Sequence, residues 1–74
     1  NPVKDIMHIR MGRNVKGQVN VSVYDASARR VLASDVQIAL TEPASVDMSS
    51  LGGGSYTVRI SWDGGSLVRT VVKL

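Results

Sequence analysis

Apolar and polar residues alternate along most of this chain. Met7, Ile9 and Met11 interleave with Ile6, His8 and Arg10; Val19, Val21 and Val23 interleave with Asn20, Ser22 and Tyr24; Tyr56, Val58, Ile60 and Trp62 interleave with Thr57, Arg59 and Ser61. Successive side chains on a strand point to opposite faces, so a period of two predicts antiparallel strands with one face buried and one wet. Val31 to Val36 and Ala44 to Met48 carry weaker forms of the pattern, and no stretch carries an apolar stripe at helical spacing. Between these segments lie GRNVKG (12–17), DASA (25–28), TEP (41–43), SSLGGG (49–54) and DGG (63–65). Turn residues recurring at roughly 8–12-residue spacing mark a β-sandwich or barrel. The expectation is one all-β domain spanning residues 1–74.

The closing segment predicts a hairpin, and its faces suggest a register. If Asp63-Gly64-Gly65 is a three-residue loop with Gly65 left-handed, Trp62 pairs with Ser66, Ile60 with Val68, Val58 with Thr70 and Tyr56 with Val72, keeping one face nearly all apolar. A two-residue loop instead sets Val58 opposite Arg69 and Tyr56 opposite Val71. A one-residue slip sends every side chain of a strand to the other face, so the pattern favours the three-residue loop. In that register Arg59 and Arg69 are neighbours on the outer face, with Lys73 further along. Such a basic stripe either splays into water or docks an acidic surface.

Composition removes several kinds of function. With 74 residues, no cysteine and one histidine, His8, the chain has no disulfide or thiolate metal site to staple it, so stability has to come from packing. Nine Lys and Arg against six Asp and Glu give +3, too modest an excess for a dedicated nucleic-acid binder. The aromatics are Tyr24, Tyr56 and Trp62; two of them belong to the expected core, which leaves no stacking platform for single strands. No run of 18 apolar residues occurs, so no helix spans a membrane. The opening NPVKDIMHIRM lacks both the layout of a signal peptide and an initiator Met, which points to the tail of a larger protein.

The motifs that suggest chemistry do not assemble. GGGS at Gly52 to Ser55 is followed by Tyr56 and a strand rather than by Lys and a helix, so it is no phosphate loop; its glycines instead permit a sharp turn. Ser55 has Thr57 where a nucleophile elbow needs glycine, and His8 lies far upstream on a strand, so no base is at hand. Asp5, Asp25, Asp35, Glu42, Asp47 and Asp63 fall one per turn or strand end, where carboxylates cap turns; a calcium ion in one loop is the alternative. The domain is expected to be non-enzymatic, with no cofactor.

In order, NPVKD with Met7-His8-Ile9, then VNVSVYDASARRV, then SVDMSSLGGGSYTVRI, then a terminal TVVKL resembles the C-terminal sorting domain of the type IX secretion system of Bacteroidetes. Asn1-Pro2, then Val21, Val23, Tyr24 and Asp25, then Asp47, Ser49, Leu51, Gly54, Tyr56, Val58 and Arg59, and lastly Lys73 carry the match. Three departures stand out. Ala28 replaces the glycine expected before Arg29, so that turn either changes conformation or bears strain. Gly53 and Ser55 flank Gly54 in place of commoner residues, and Leu74 extends past the usual terminal Lys. The resemblance implies an immunoglobulin-like antiparallel sandwich of about seven strands at the end of a cargo protein. It implies transit through the periplasm, recognition by the outer-membrane translocon, and in most cargos removal by a cell-surface sortase with attachment to the cell surface. A copy retained in a component of the secretion machinery, an adhesive or structural module with no sorting role, and self-association through an edge strand are the alternatives. The expected recognition region is Gly54, Tyr56, Val58 and Arg59 together with Arg69, Thr70, Val71, Val72, Lys73 and Leu74.

Overall fold

The structure, a computed structural model, describes residues 2–10, 17–38 and 44–74. Among the described residues seven strands follow one another: β1 (Pro2–Val3), β2 (Ile6–Ile9), β3 (Gly17–Tyr24), β4 (Arg30–Ile38), β5 (Ala44–Asp47), β6 (Gly54–Trp62) and β7 (Gly65–Lys73). They form a five-stranded sheet in the order β1-β7-β6-β3-β4 and a two-stranded sheet of β2 and β5. Every pair is antiparallel except β1 with β7. The all-β sandwich is therefore the architecture the alternation predicts. Met11, the 12–17 turn up to residue 16 and the 41–43 turn lie outside the described residues.

The apolar sets named from the alternation meet between the sheets. Val19, Val21 and Val23 of β3 and Val58 and Ile60 of β6 are buried against Met7 and Ile9 of β2 and Ala44 and Val46 of β5. Tyr56 and Trp62 pack against this core half-buried. Fully burying a side chain of this size stabilises by about 1.5–3 kcal/mol, and the chain has no cysteine with which to add a disulfide. Met48, after β5, is wholly buried, and its amide donates to the Asp5 carbonyl at 2.7 Å.

Two turns show why their residues are where they are. In the turn between β3 and β4, the Asp25 carboxylate accepts from the amides of Ser27 (2.8 Å) and Arg29 (3.1 Å), and the Arg29 guanidinium returns to it at 3.2 Å. Ala28 takes φ +64 there, so the missing glycine is answered by strain rather than by a new turn. Before β6, Asp47 accepts from the Ser49 amide at 2.9 Å, and the Tyr56 hydroxyl donates to the Gly52 carbonyl at 2.7 Å. A tyrosine hydroxyl bonded to the backbone a few residues upstream is the corner typical of immunoglobulin-like sandwiches.

The closing hairpin departs from the expected register. The ladder pairs Trp62 with Gly65, Ile60 with Leu67, Val58 with Arg69 and Tyr56 with Val71, so the loop is the two residues Asp63 and Gly64. Gly64 carries the positive φ, +130, and Gly65 lies in the strand beneath the Trp62 indole, where a Cβ would approach the ring to 3.2 Å. Leu67, Arg69, Val71 and Lys73 thus share the inward face, while Val68, Thr70 and Val72 turn outward. The face pattern misled because β7 has its free edge beside a gap, where an inward-facing Arg need not be buried.

Candidate functional site

The free edge of β7 is the least finished part of the molecule. β1 pairs with its end alone, Pro2 with Val72 and Val3 with Lys73, so that among the described residues β7 from Gly65 to Val71 is paired only on its β6 side. The Leu74 amide donates to the Val3 carbonyl at 2.8 Å, so the even-numbered backbone groups face away from β6. The amides of Ser66, Val68 and Thr70 therefore point into the open edge. Unpaired strand edges of this kind are templates for another strand.

Beneath that edge the two sheets part. β5 lies beside β4 and closes one side of the sandwich. On the other side a cavity of about 450 Å³ lies between β2 and the β6–β7 hairpin, lined by Met7, Ile9, Val58, Ile60, Leu67 and Val71. Arg10, Arg69 and His8 also line it, with no carboxylate among the described lining residues. Arg69 is exposed and donates from Nη1 to its neighbour's carbonyl, that of Val68, at 3.1 Å. On the outer face Val68 and Val72 are 48% and 43% exposed.

The expected basic stripe is not there. Arg59 is exposed on the outer face opposite Val68, but Arg69 belongs to the inward face and Lys73 is only 7% exposed. The Lys73 ammonium donates to the Leu74 carbonyl at 3.2 Å and lies 3.9 Å from the Asp5 carboxylate. Tyr56, Val58 and Val71 also face the core. Of the expected recognition residues, the described surface presents Gly54, Arg59, Arg69, Thr70, Val72 and Leu74. The end of the chain is consequently strapped down by β1 and Asp5, which the alternation did not single out. The Asn-Pro-Val opening was the one available signal, since Pro is tolerated on an edge strand whose nitrogen faces away from the sheet.

Two carboxylates in turns are held by their own backbone. Hydrogen bonds from the Arg29 and Ser27 amides, together with the Arg29 charge, hold the Asp25 carboxyl below its usual value; the Ser49 side chain and amide do the same for Asp47. Both groups are structural caps. His8, paired loosely with Ser45 at 3.4 Å, is exposed on β2 as a surface residue.

The whole chain, residues 1–74, matches the family described as the secretion system C-terminal sorting domain. The chain belongs to that family. Its role is that of the C-terminal sorting signal for type IX secretion, as the order of motifs led one to expect. Such a sorting domain engages the type IX machinery, directs export across the outer membrane to the cell surface or beyond, and is not itself catalytic. No curated protein and no solved structure matches the chain.

Proposed function

We propose that this sorting domain is read through its last strand while it is still folded. The outer-membrane translocon recognises the free edge and outer face of β7 with the adjoining part of β6, after the cargo has crossed the periplasm; a cell-surface sortase acts on the cargo afterwards. The cargo is the chain to which residues 1–74 form the tail. Within the expected region, Arg59, Arg69, Thr70, Val72 and Leu74 make side-chain contact and Gly54 leaves room for it. Tyr56, Val58, Val71 and Lys73 act from inside by holding the two strands in register.

The observation that carries this reading is the row of outward-facing amides at Ser66, Val68 and Thr70 on an otherwise paired hairpin. Strand addition uses main-chain bonds for affinity and alternate side chains for selectivity. Proline at Val68 removes one outward amide and none of the bonds to β6, so Val68→Pro tests the edge itself. Fused behind a periplasmic passenger in a cell with type IX machinery, the unaltered domain brings the passenger to the surface, and the Val68→Pro form leaves it inside although it still melts cooperatively. Normal surface display of that folded variant would refute recognition through the edge.

A further inference from the structure

We propose that the gap between β2 and β7 accepts one strand of a partner protein whose inward side chains run aliphatic, acidic, aliphatic, with the carboxylate meeting Arg69. This rests on the reading that β7's edge is the recognised feature, and it names the chemistry of what is received there.

Four observations lead to that occupant. The open edge runs from Gly65 to Val71, and at about 3.3 Å per residue this is room for six or seven residues before β1 blocks the way. A strand hydrogen-bonded to β7 projects every second side chain into the cavity of about 450 Å³, whose lining is mainly aliphatic. Arg69 lies on the inward face at the level of Val58, near the middle of the open stretch, so the side chain entering beside it is the one that needs a negative charge. Arg10 lines the same space, and no carboxylate is among the described lining residues. A charge-assisted bond between Arg and a carboxylate in a partly enclosed site is roughly twice as strong as a neutral one, which supplies selectivity over other strands.

A second copy of this chain fits poorly. Pairing β7 with its own antiparallel image brings two Arg69 side chains into one gap, where like charges repel. A segment immediately ahead of Asn1 could extend β1 along the same edge, since β1 already runs parallel to β7; that occupant would protect the edge without any partner.

The probe is an end-blocked peptide, Thr-Val-Thr-Glu-Thr-Val-Thr, titrated into the isotope-labelled domain carrying its passenger. The expected result is saturable shifts and slowed hydrogen exchange at the amides of Ser66, Val68 and Thr70. Replacing the peptide's Glu by Gln, or Arg69→Gln in the domain, weakens binding about tenfold, and the two changes together weaken it no more than one alone. Equal binding of the Glu and Gln peptides, effects centred on β4, protection of the edge before peptide is added, or a concentration-dependent dimer would each overturn the proposal. The export assay tests the edge and the acidic strand separately. If Val68→Pro blocks display and Arg69→Glu does not, the edge is still read but the acidic strand is wrong. If both variants are displayed normally, the edge reading itself has failed.

Discussion

One row of side chains crosses the inner face of the large sheet from edge to edge: Leu32, Val23, Val58 and Arg69. At the β4 end it finishes in a leucine that packs on the core, and at the β7 end in an exposed arginine. Both strands have nine residues and similar alternation; β4 is an edge strand throughout and β7 is one up to Val71, where β1 begins to pair. The difference lies in what stands opposite them. β5 lies beside β4, whereas β7 looks across a cavity to β2. A sandwich closed on one side and open on the other can put a cation on its inner face at the open side without burying it. The open side is also where the backbone edge is free. The polar inward residue, the unpaired amides and the space for an added strand thus lie together.

The largest test concerns the hairpin that carries the open side. Tyr56→Ala should cost about 3–5 kcal/mol in chemical denaturation, because the ring packs on the core and its hydroxyl fastens the Gly52 turn. Tyr56→Phe, losing only that bond, should cost about 1 kcal/mol. Cooperative melting of the alanine form at the original midpoint would mean that the hairpin does not depend on this corner.

Exchanging the ends of the row comes next. Leu32→Arg should destabilise by about 2–3 kcal/mol, since it removes core packing and introduces a charge on the closed side. Arg69→Leu should change stability by no more than about 0.5 kcal/mol, as expected of an exposed site. Equal costs in paired denaturation curves would show that the two sides are equally closed.

The two hairpin turns sharpen the contrast further. Ala28 holds φ +64 without being glycine, so Ala28→Gly should stabilise by about 1 kcal/mol. Gly64 holds φ +130, a conformation open in practice to glycine alone, so Gly64→Ala should destabilise by about 1–2 kcal/mol although the added methyl has space. Thermal melts of the two variants should therefore move in opposite directions.

The smallest expected effect is a pH dependence. Hydrogen bonds from the Arg29 and Ser27 amides hold the folded-state pKa of Asp25 below the ordinary carboxylate value, and those from Ser49 do the same for Asp47. A depressed carboxylate stabilises fully above its unfolded pKa and loses that contribution as pH falls through the folded one. Stability should accordingly be flat from neutrality to about pH 4 and decline below it, with Asp25→Asn reducing the acid slope. Carboxyl titrations followed by NMR should give midpoints below those of the denatured chain; midpoints at or above them would contradict the capping geometry.

Much of this fold follows from local chemistry. Val19, Val21, Val23, Val58 and Ile60 had to share the interior because a strand alternates and only one of its faces can be apolar. Asp25 and Asp47 had to cap turns because a short carboxylate reaches its own backbone two residues on. At Ala28 the residues left a changed turn and strain both open, and the left-handed φ of +64 is what selects strain.

What the residues could not decide alone was the register of β7. Valines on one face and Leu67 with Val71 on the other score almost alike when only two strands are considered. The choice belongs to distant partners: β1 binding at Val72 and Lys73, Asp5 near the Lys73 ammonium, the Trp62 ring over Gly65, and the gap that lets Arg69 face inward unburied. Alternation is a property of a strand by itself. The face it buries depends on which neighbours arrive and where they leave space, and for β7 those neighbours come from the opposite end of the sequence.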